Sequence, residues 1–357
     1  MIIFIASCGP EPTPPGPCLP SIAKADDYHP DNFFFKAIPE NASIASHSDI
    51  QIATLVNENP NGARISVNDY GESIYYANNS TNRFTLWENN SKCYNGVREG
   101  ILDVPLPNNA KPSPGLDESM TVIDTDNELV YSFFNVRTPA SACYWYCREY
   151  SGAVVAPLRN TGVVSLNDNP NSGTTGSGFL TMAGVIWPHE LNDGQINHAL
   201  RGSYKLTSTT FVSPAIKSDG THSEDDALPM GALLQLDPSI DLDAVNWGMT
   251  ADEKVIAKAM QKFGIYISDT NGNGLSLKGV AIQSFSCNPY RNYKNGIYNS
   301  GGCTNVKTGS IQLKNIPLSA LRVIDFPHGT VDITFDVSNS TSKICCGFDG
   351  CSGNCGN

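Results

Sequence analysis

Met120-Thr-Val-Ile-Asp-Thr-Asp-Asn-Glu-Leu-Val-Tyr-Ser-Phe-Phe134 holds two apolar runs separated by a polar turn. Both runs favour β-branched and aromatic residues, which suit a pleated, half-buried surface. Asp124-Thr-Asp-Asn127 supplies side chains that bond their own backbone and tolerate tight-turn angles. The stretch reads as a β-hairpin. Similar short runs recur on either side: Ile50–Val56, Ser73–Tyr76, Val163–Leu166, Ser203–Thr207, Ile311–Leu313 and Val331–Phe335. Gly, Pro and Asn break the chain between them. This spacing predicts a mainly β fold of the sandwich or jelly-roll kind.

One helix interrupts the pattern. Thr250-Ala-Asp-Glu253 is a capping box, with a hydroxyl and a carboxylate available to the first free amides. Ile256, Ala259, Met260 and Phe263 follow at i, i+3, i+4 and i+7, which gives one apolar face over residues 250–263. Gly264 suits the left-handed C-terminal cap, and Ile265-Tyr-Ile267 reads as the next strand.

A chain of 357 residues can bury a sizeable core. Only 16% of it is charged, and 35 acidic against 23 basic residues leave a net charge of −12. An acidic surface repels phosphate backbones and anionic lipid, which argues against nucleic-acid and membrane-surface partners. No apolar stretch reaches the roughly 20 residues of a membrane span.

The eleven cysteines point to an oxidising, extracellular or cell-surface setting. The disulfide candidates are Cys8, Cys18, Cys143, Cys147, Cys287, Cys303, Cys345, Cys346, Cys351 and Cys355. Cys143–Cys147 or a bond near it, Cys287–Cys303, and bonds within the C-terminal cluster are expected, each worth roughly 3 kcal/mol of loop closure. Cys143-x3-Cys147 and Cys351-x3-Cys355 could ligate zinc, but the paired C-x2-C partners of such sites are missing, and no metal or cofactor is expected. An odd count leaves at least one cysteine free, modified or bonded between chains. Export also fits the glycosylation acceptors Asn41, Asn78, Asn79, Asn89 and Asn339.

Three parts follow: a Pro- and Cys-containing arm at 1–32, a β-sandwich-type domain at 33–344, and a Cys-rich tail at 345–357. Within the arm, Met1, Ile2, Ile3, Phe4 and Ile5 form an apolar run suited to a sheet edge. Ile5-Ala-Ser-Cys8 also has the form of a lipidation site, although a strand followed by a disulfide cysteine accounts for it more simply.

Four segments resemble an uncharacterised family of secreted, mainly bacterial proteins: Val104–Asp117, Gly176–Ile186, Glu190–Leu200 and Leu228–Pro238. Their order and spacing hold over about 33–335. The family's proline-rich loop usually continues past Gly-x-Asp with a small residue and often His, whereas Glu118 and Ser119 follow Asp117 here. The resemblance implies secretion and a shared β fold, and it supplies no catalytic assignment.

The candidate active site is Trp187-Pro-His189-Glu190 with His198, where Glu190 and His198 could serve as acid and base on a sugar. The competing reading makes Glu190 the start of a short helix and His198 a buried anchor. Asp219–Asp226 offers clustered oxygens for a cation but suits a polar surface loop better. Asp269-Thr-Asn-Gly-Asn-Gly274 begins like a calcium loop, but Val280 stands where the bidentate acid belongs, so a turn is expected. Gly176-Ser-Gly178 lacks the lysine of a phosphate loop. Tyr144-Trp-Tyr146, Tyr75 and Tyr76 serve equally as sugar-stacking or core residues.

The expected function is structural: an extracellular subunit that builds a fibre or surface layer by docking an arm or strand onto another copy of itself. The alternative is a secreted protein that binds or cleaves glycans with Glu190 and His198. A non-enzymatic role is favoured, since no nucleophile or partnered carboxylate stands at a telling spacing.

Overall fold

A computed structural model describes residues 31–88, 98–108, 110–136, 149–160, 162–163, 174–244, 247–285, 289–290, 310–325, 343–347 and 350–354. For 85, 87–88, 98–102, 149, 343–347 and 350–354 the backbone alone is described. In chain order the elements begin with β1 (Ser43–Ile44), α1 (Ser48–Glu58), β2 (Ala63–Ser66), β3 (Ile74–Ala77), β4 (Arg83–Glu88) and β5 (Arg98–Pro105). Next come β6 (Met120–Asp124), β7 (Leu129–Phe134), β8 (Glu149–Tyr150), β9 (Gly152–Pro157), α2 (Pro188–Asp193), β10 (Leu200–Tyr204) and β11 (Thr207–Phe211). Then follow β12 (Leu228–Met230), β13 (Leu233–Leu236), α3 (Ala251–Lys262), β14 (Ile265–Thr270) and β15 (Ser276–Lys278). The last are β16 (Ser310–Leu313), β17 (Leu321–Asp325), β18 (Lys343–Gly347) and β19 (Gly350–Asn354).

The hairpin around Asp124 forms as the sequence predicts. β6 and β7 pair antiparallel from Met120↔Phe133 to Asp124↔Leu129, and the Asp124 carboxylate accepts from the Asn127 backbone and side-chain amide to close the turn. This pair sits inside a four-stranded sheet ordered β3-β6-β7-β9. Both faces of that sheet are covered. Tyr75, Val122, Tyr131 and Val155 fill one apolar cluster, while Ile74, Ile123, Val130 and Ala156 fill another with Leu180, Val185 and Trp187. Burial on both sides explains why the strands read as continuous apolar runs rather than alternating ones.

The largest sheet has eight strands in the order β1-β17-β13-β14-β10-β15-β2-β16. It packs its main core against α1, which rests on β17, and α3, which rests on β13. The α3 capping box closes as expected: Thr250 Oγ1 accepts from Glu253 N at 3.2 Å, and Glu253 Oε2 accepts from Thr250 N at 3.0 Å. A five-stranded sheet, β19-β18-β5-β4-β8, brings the C-terminal segments alongside β5.

The chain is mainly β, and its sheets are open; a sandwich or jelly roll is not confirmed by them. Parallel ladders run between β10 and β14, β15 and β2, and β3 and β6, a mixture that the antiparallel sandwich lacks. Ile50–Val56, expected as a strand, lies within α1. Its β-branched residues favour extended chain, but Ile52 and Leu55 fall three apart on the side facing the core while Ile50 faces out. Ser48 Oγ accepts from Val323 N at 2.9 Å and ties the helix start to β17. Val331–Phe335 and Leu166 lie outside the described residues.

Candidate functional site

The middle of the eight-stranded sheet carries charge where a strand is expected to carry only apolar groups. β10 runs parallel to β14 with Arg201 beside Tyr266 and Gly202 beside Ile267, but the next pair is Ser203↔Asp269. Ser268 is skipped. This bulge turns Asp269 to the side of the sheet that Arg201 occupies, the re-aiming that bulges commonly perform beside functional sites. On the other flank β15 pairs Ser276 with Ser203 and Leu277 with Gly202, which brings Lys278 level with Arg201. Glu72 is fixed opposite by backbone bonds to Gly279 and Ala281.

Four charges therefore meet in the interior. Arg201 is 1% exposed, and its Nη2 donates to Glu72 Oε2 at 2.9 Å and to the Thr181 carbonyl at 2.7 Å. Its Nη1 lies 3.7 Å from Asp269 Oδ2. Among the described residues its Nε has no hydrogen-bond partner. Lys278 Nζ donates to the Tyr70 carbonyl at 3.2 Å. Burial drives the Lys278 ammonium below its ordinary pKa, and the like charge of Arg201 adds to that. Burial likewise raises Glu72 above the usual carboxylate range, against the pull of Arg201 and Lys278.

Asp269 is the member of this group that reaches solvent, with a quarter of its side chain exposed. Burial pushes its carboxyl from 3.8 up to about 6; Lys278 and Arg201 oppose the shift, and the charge of Asp219 assists it. Gly176 N donates to Asp269 Oδ1 at 2.5 Å. On its other side, Gly176 leaves no room for a side chain, because a carbon there would run into the Asp219 carboxylate. Asp219 is exposed and is held by Thr270, whose hydroxyl and backbone N–H donate to Oδ1 at 2.7 and 3.2 Å. Lys217 is lowered by burial while Asp269 and Asp219 pull it upward, so it shares the same field. Asp117 completes the ring of charges through its effect on Lys278.

Glu190 and His198 come together, but away from solvent. His198 Nε2 lies 3.0 Å from Glu190 Oε1, and His198 Nδ1 lies 2.8 Å from the Ala199 carbonyl. Both ring nitrogens thus face acceptors, which suits the doubly protonated imidazolium. Glu190 Oε2 accepts from Trp187 N at 2.9 Å and closes the first turn of α2. Burial disfavours the charged ring, yet Glu190 and the Ala199 carbonyl outweigh it, so His198 titrates above its ordinary value. The adjacent cavity, lined by Phe35, Met182 and Trp187, measures about 10 Å³, enough for one water at most. As they sit, Glu190 caps a helix, His198 bonds to it, and both side chains are buried.

The remaining sequence candidates divide by position. Asn41, Asn78 and Asn79 are exposed, and Asn78 Oδ1 accepts from Ser80 N in a tight turn. Tyr75 is core: its hydroxyl accepts from Lys111 N and donates to Lys111 O. Tyr76 packs on Trp187. Met1–Ile5, Cys8, Cys18, Asn89, Cys143, Tyr144–Tyr146, Cys147, Cys287, Cys303, Asn339 and Cys355 lie outside the described residues. Cys345, Cys346 and Cys351 have backbone positions only; Cys346 stands opposite Cys351 in the β18–β19 ladder. Among the described residues no group of three or more His, Cys, Asp or Glu is placed to hold a metal, and no helix is long and apolar enough to cross a membrane.

Sequence reasoning singled out the Asp219, Asp269 and Gly176 segments and set each aside separately. It had no signal for Arg201, Glu72 or Lys278. No family model, no curated protein and no solved structure matches this chain.

Proposed function

We propose that this chain is an extracellular structural subunit that builds a fibre or surface layer by docking a terminal strand onto a neighbouring copy. The supporting observation is the placement of the C-terminal strands, which add to the β4–β5 ladder with β19 outermost in that sheet. Main-chain hydrogen bonds at a sheet edge do not depend on which chain supplies the strand. The apolar sequence Met1–Ile5 has the length and composition a docking strand requires, and head-to-tail docking that does not close yields a filament. The odd cysteine count and low charge support the same reading. Electron microscopy and light scattering of the full chain test it. Filaments or large oligomers are expected, and Ile3→Asp should convert them to folded monomers. A monodisperse full chain at high concentration would overturn it.

A second reading, a secreted carbohydrate-binding or glycan-cleaving protein, gains support from Asp219, Asp269 and Tyr70 rather than from Glu190 and His198. Tyr70 is a partly exposed aromatic whose ring lies against Gly115 and whose carbonyl accepts from Lys278. Calorimetry with neutral oligosaccharides tests this reading. A Tyr70→Ala variant should bind at least about tenfold more weakly, and no heat of binding across the set would refute it.

A further inference from the structure

We propose that the cavity between the start of α1, the β12–β13 turn and β17 is the acceptor site for the docking strand, and that it takes the Phe4 ring of a neighbouring copy. The proposal rests on the fibre reading above and adds the place at which one subunit holds the next.

The cavity measures about 150 Å³. Ala45, Val212, Leu233 and Ile324 give it apolar walls, and Gln51 of α1 lines it as well. Ala45 directly follows β1, and Ile324 pairs with Ile44 of that strand. β1 is the outermost strand of the eight-stranded sheet, and both of its residues are exposed. Ile44, Ile50 and Phe211 are each about half exposed, and each is the chain neighbour of a lining residue: Ala45, Gln51 and Val212. Consecutive Cα atoms stand about 3.8 Å apart, which puts all three at the rim. Single exposed apolar groups are ordinary, whereas three around one apolar hollow mark an interaction surface.

Gln51 supplies an independent sign that the cavity has an occupant. It is 7% exposed, and its Nε2 donates to the Ala227 carbonyl at 3.0 Å. Among the described residues its Oε1 has no hydrogen-bond partner. The bond to Ala227 fixes which way the amide faces, so the atom left over is an acceptor. A docked strand brings backbone N–H groups that can satisfy it, and a purely apolar ligand does not.

Size and composition identify the occupant. An aliphatic cavity of about 150 Å³ stays dry and takes up benzene, and the Phe4 side chain carries that ring on an apolar run. Ile3 and Ile5 beside it match the apolar rim. His47 and Asp325, the ionisable residues of the lining, are both exposed, so no buried charge calls for a counter-ion. Reach favours docking between copies. Twenty-five residues separate Ile5 from Asp31, and six of the eleven from Pro10 to Pro20 are proline. Proline-rich chain favours an extended form of about 3.1 Å per residue, and twenty-five such residues span roughly 75 Å. A domain of this length is roughly 50 Å across, so the arm outreaches its own body. The arm of one copy in the cavity of the next repeats head to tail.

The test mixes two full-length variants and follows them by light scattering and electron microscopy. Ser46→Trp places an indole at an exposed residue of the lining and blocks the cavity, and Phe4→Ala removes the ring that fills it. Each alone should raise the concentration needed for assembly at least about tenfold, as loss of a buried aromatic anchor does, with circular dichroism unchanged. Mixed, they should form one-to-one dimers and nothing longer, because the intact arm of the first docks in the intact cavity of the second. If Ser46→Trp does not fold, Ile44→Asp at the exposed rim takes its place. Filaments that persist in either folded variant, or a mixture that stays monomeric, would overturn the acceptor site and leave the fibre reading standing. A parent chain that is monomeric at high concentration would overturn both.

Discussion

Gly176 donates its backbone N–H to the Asp269 carboxylate at 2.5 Å, and the absence of a side chain on Gly176 lets Asp219 close over its other face. A single small residue thus touches two carboxylates that lie fifty positions apart in the chain.

Adding one carbon at this position should disturb that packing. Gly176→Ala places a methyl group against the Asp219 carboxylate, which Thr270 prevents from swinging freely away. Overpacking of this kind costs about 1–3 kcal/mol, read as a lower urea midpoint with an unchanged slope. Asp219→Ala in the same chain should recover most of the loss. A clash that persists in the double variant would place its cause elsewhere.

Titration of Asp269 sets a second expectation. Its folded pKa of about 6 lies above the unfolded 3.8, so the folded state binds more protons in that interval. Stability must then fall as pH rises from about 4 to about 6, with the slope set by the difference in bound protons. Asp269→Asn should flatten most of this decline in denaturant midpoints taken across the range. Glu72 is raised as well and shifts stability in the same direction, so the decline should shrink further in Glu72→Gln/Asp269→Asn.

Arg201 holds the buried charges together, and its removal should be costly. Arg201→Met leaves Glu72 without its hydrogen-bonded cation, with Lys278 as the remaining positive charge acting on it. Breaking a buried pair from one side costs about 3–5 kcal/mol because the surviving charge stays uncompensated. Arg201→Met/Glu72→Met should be milder than the single change in thermal unfolding. A single substitution that costs less than the double would show that Lys278 or solvent compensates Glu72 once Arg201 is gone.

The hairpin at Asp124 and the α3 helix were legible because each is specified locally. A turn sequence fixes the first, and Thr250 with Glu253 fixes the second at one end. The helix at Ser48–Glu58 was not legible, since Ile50, Ile52, Thr54 and Val56 favour extended chain until Ile52 and Leu55 find the core. Arg201 and Lys278 were hidden for a related reason. A charged residue in a strand ordinarily marks the solvent face, and only the order β14-β10-β15 places both residues in the interior. The skipped Ser268, which brings Asp269 beside them, leaves no mark in the sequence at all. The segments Val104–Asp117 and Gly176–Ile186 supply Asp117 and Gly176, and Glu190–Leu200 ends one residue before Arg201. They meet only in three dimensions.

The Glu190–His198 pair yields the last prediction. Because the folded pKa of His198 is raised above its unfolded 6.5, the stability it adds is fully present below 6.5 and is lost as pH rises through the folded value. His198→Ala should lower stability by about 1–3 kcal/mol in mildly acidic solution, through a lost buried hydrogen bond. The deficit should shrink as the solution is made alkaline. Glu190→Gln should reproduce the same pH dependence, since it removes the charge that holds the imidazolium, and should also loosen the first turn of α2 by weakening the bond to Trp187 N. Proton–nitrogen NMR of the ring reads the protonation state directly. A neutral imidazole at pH 6 would show that the pair is not ionic and would remove the basis for the pH dependence.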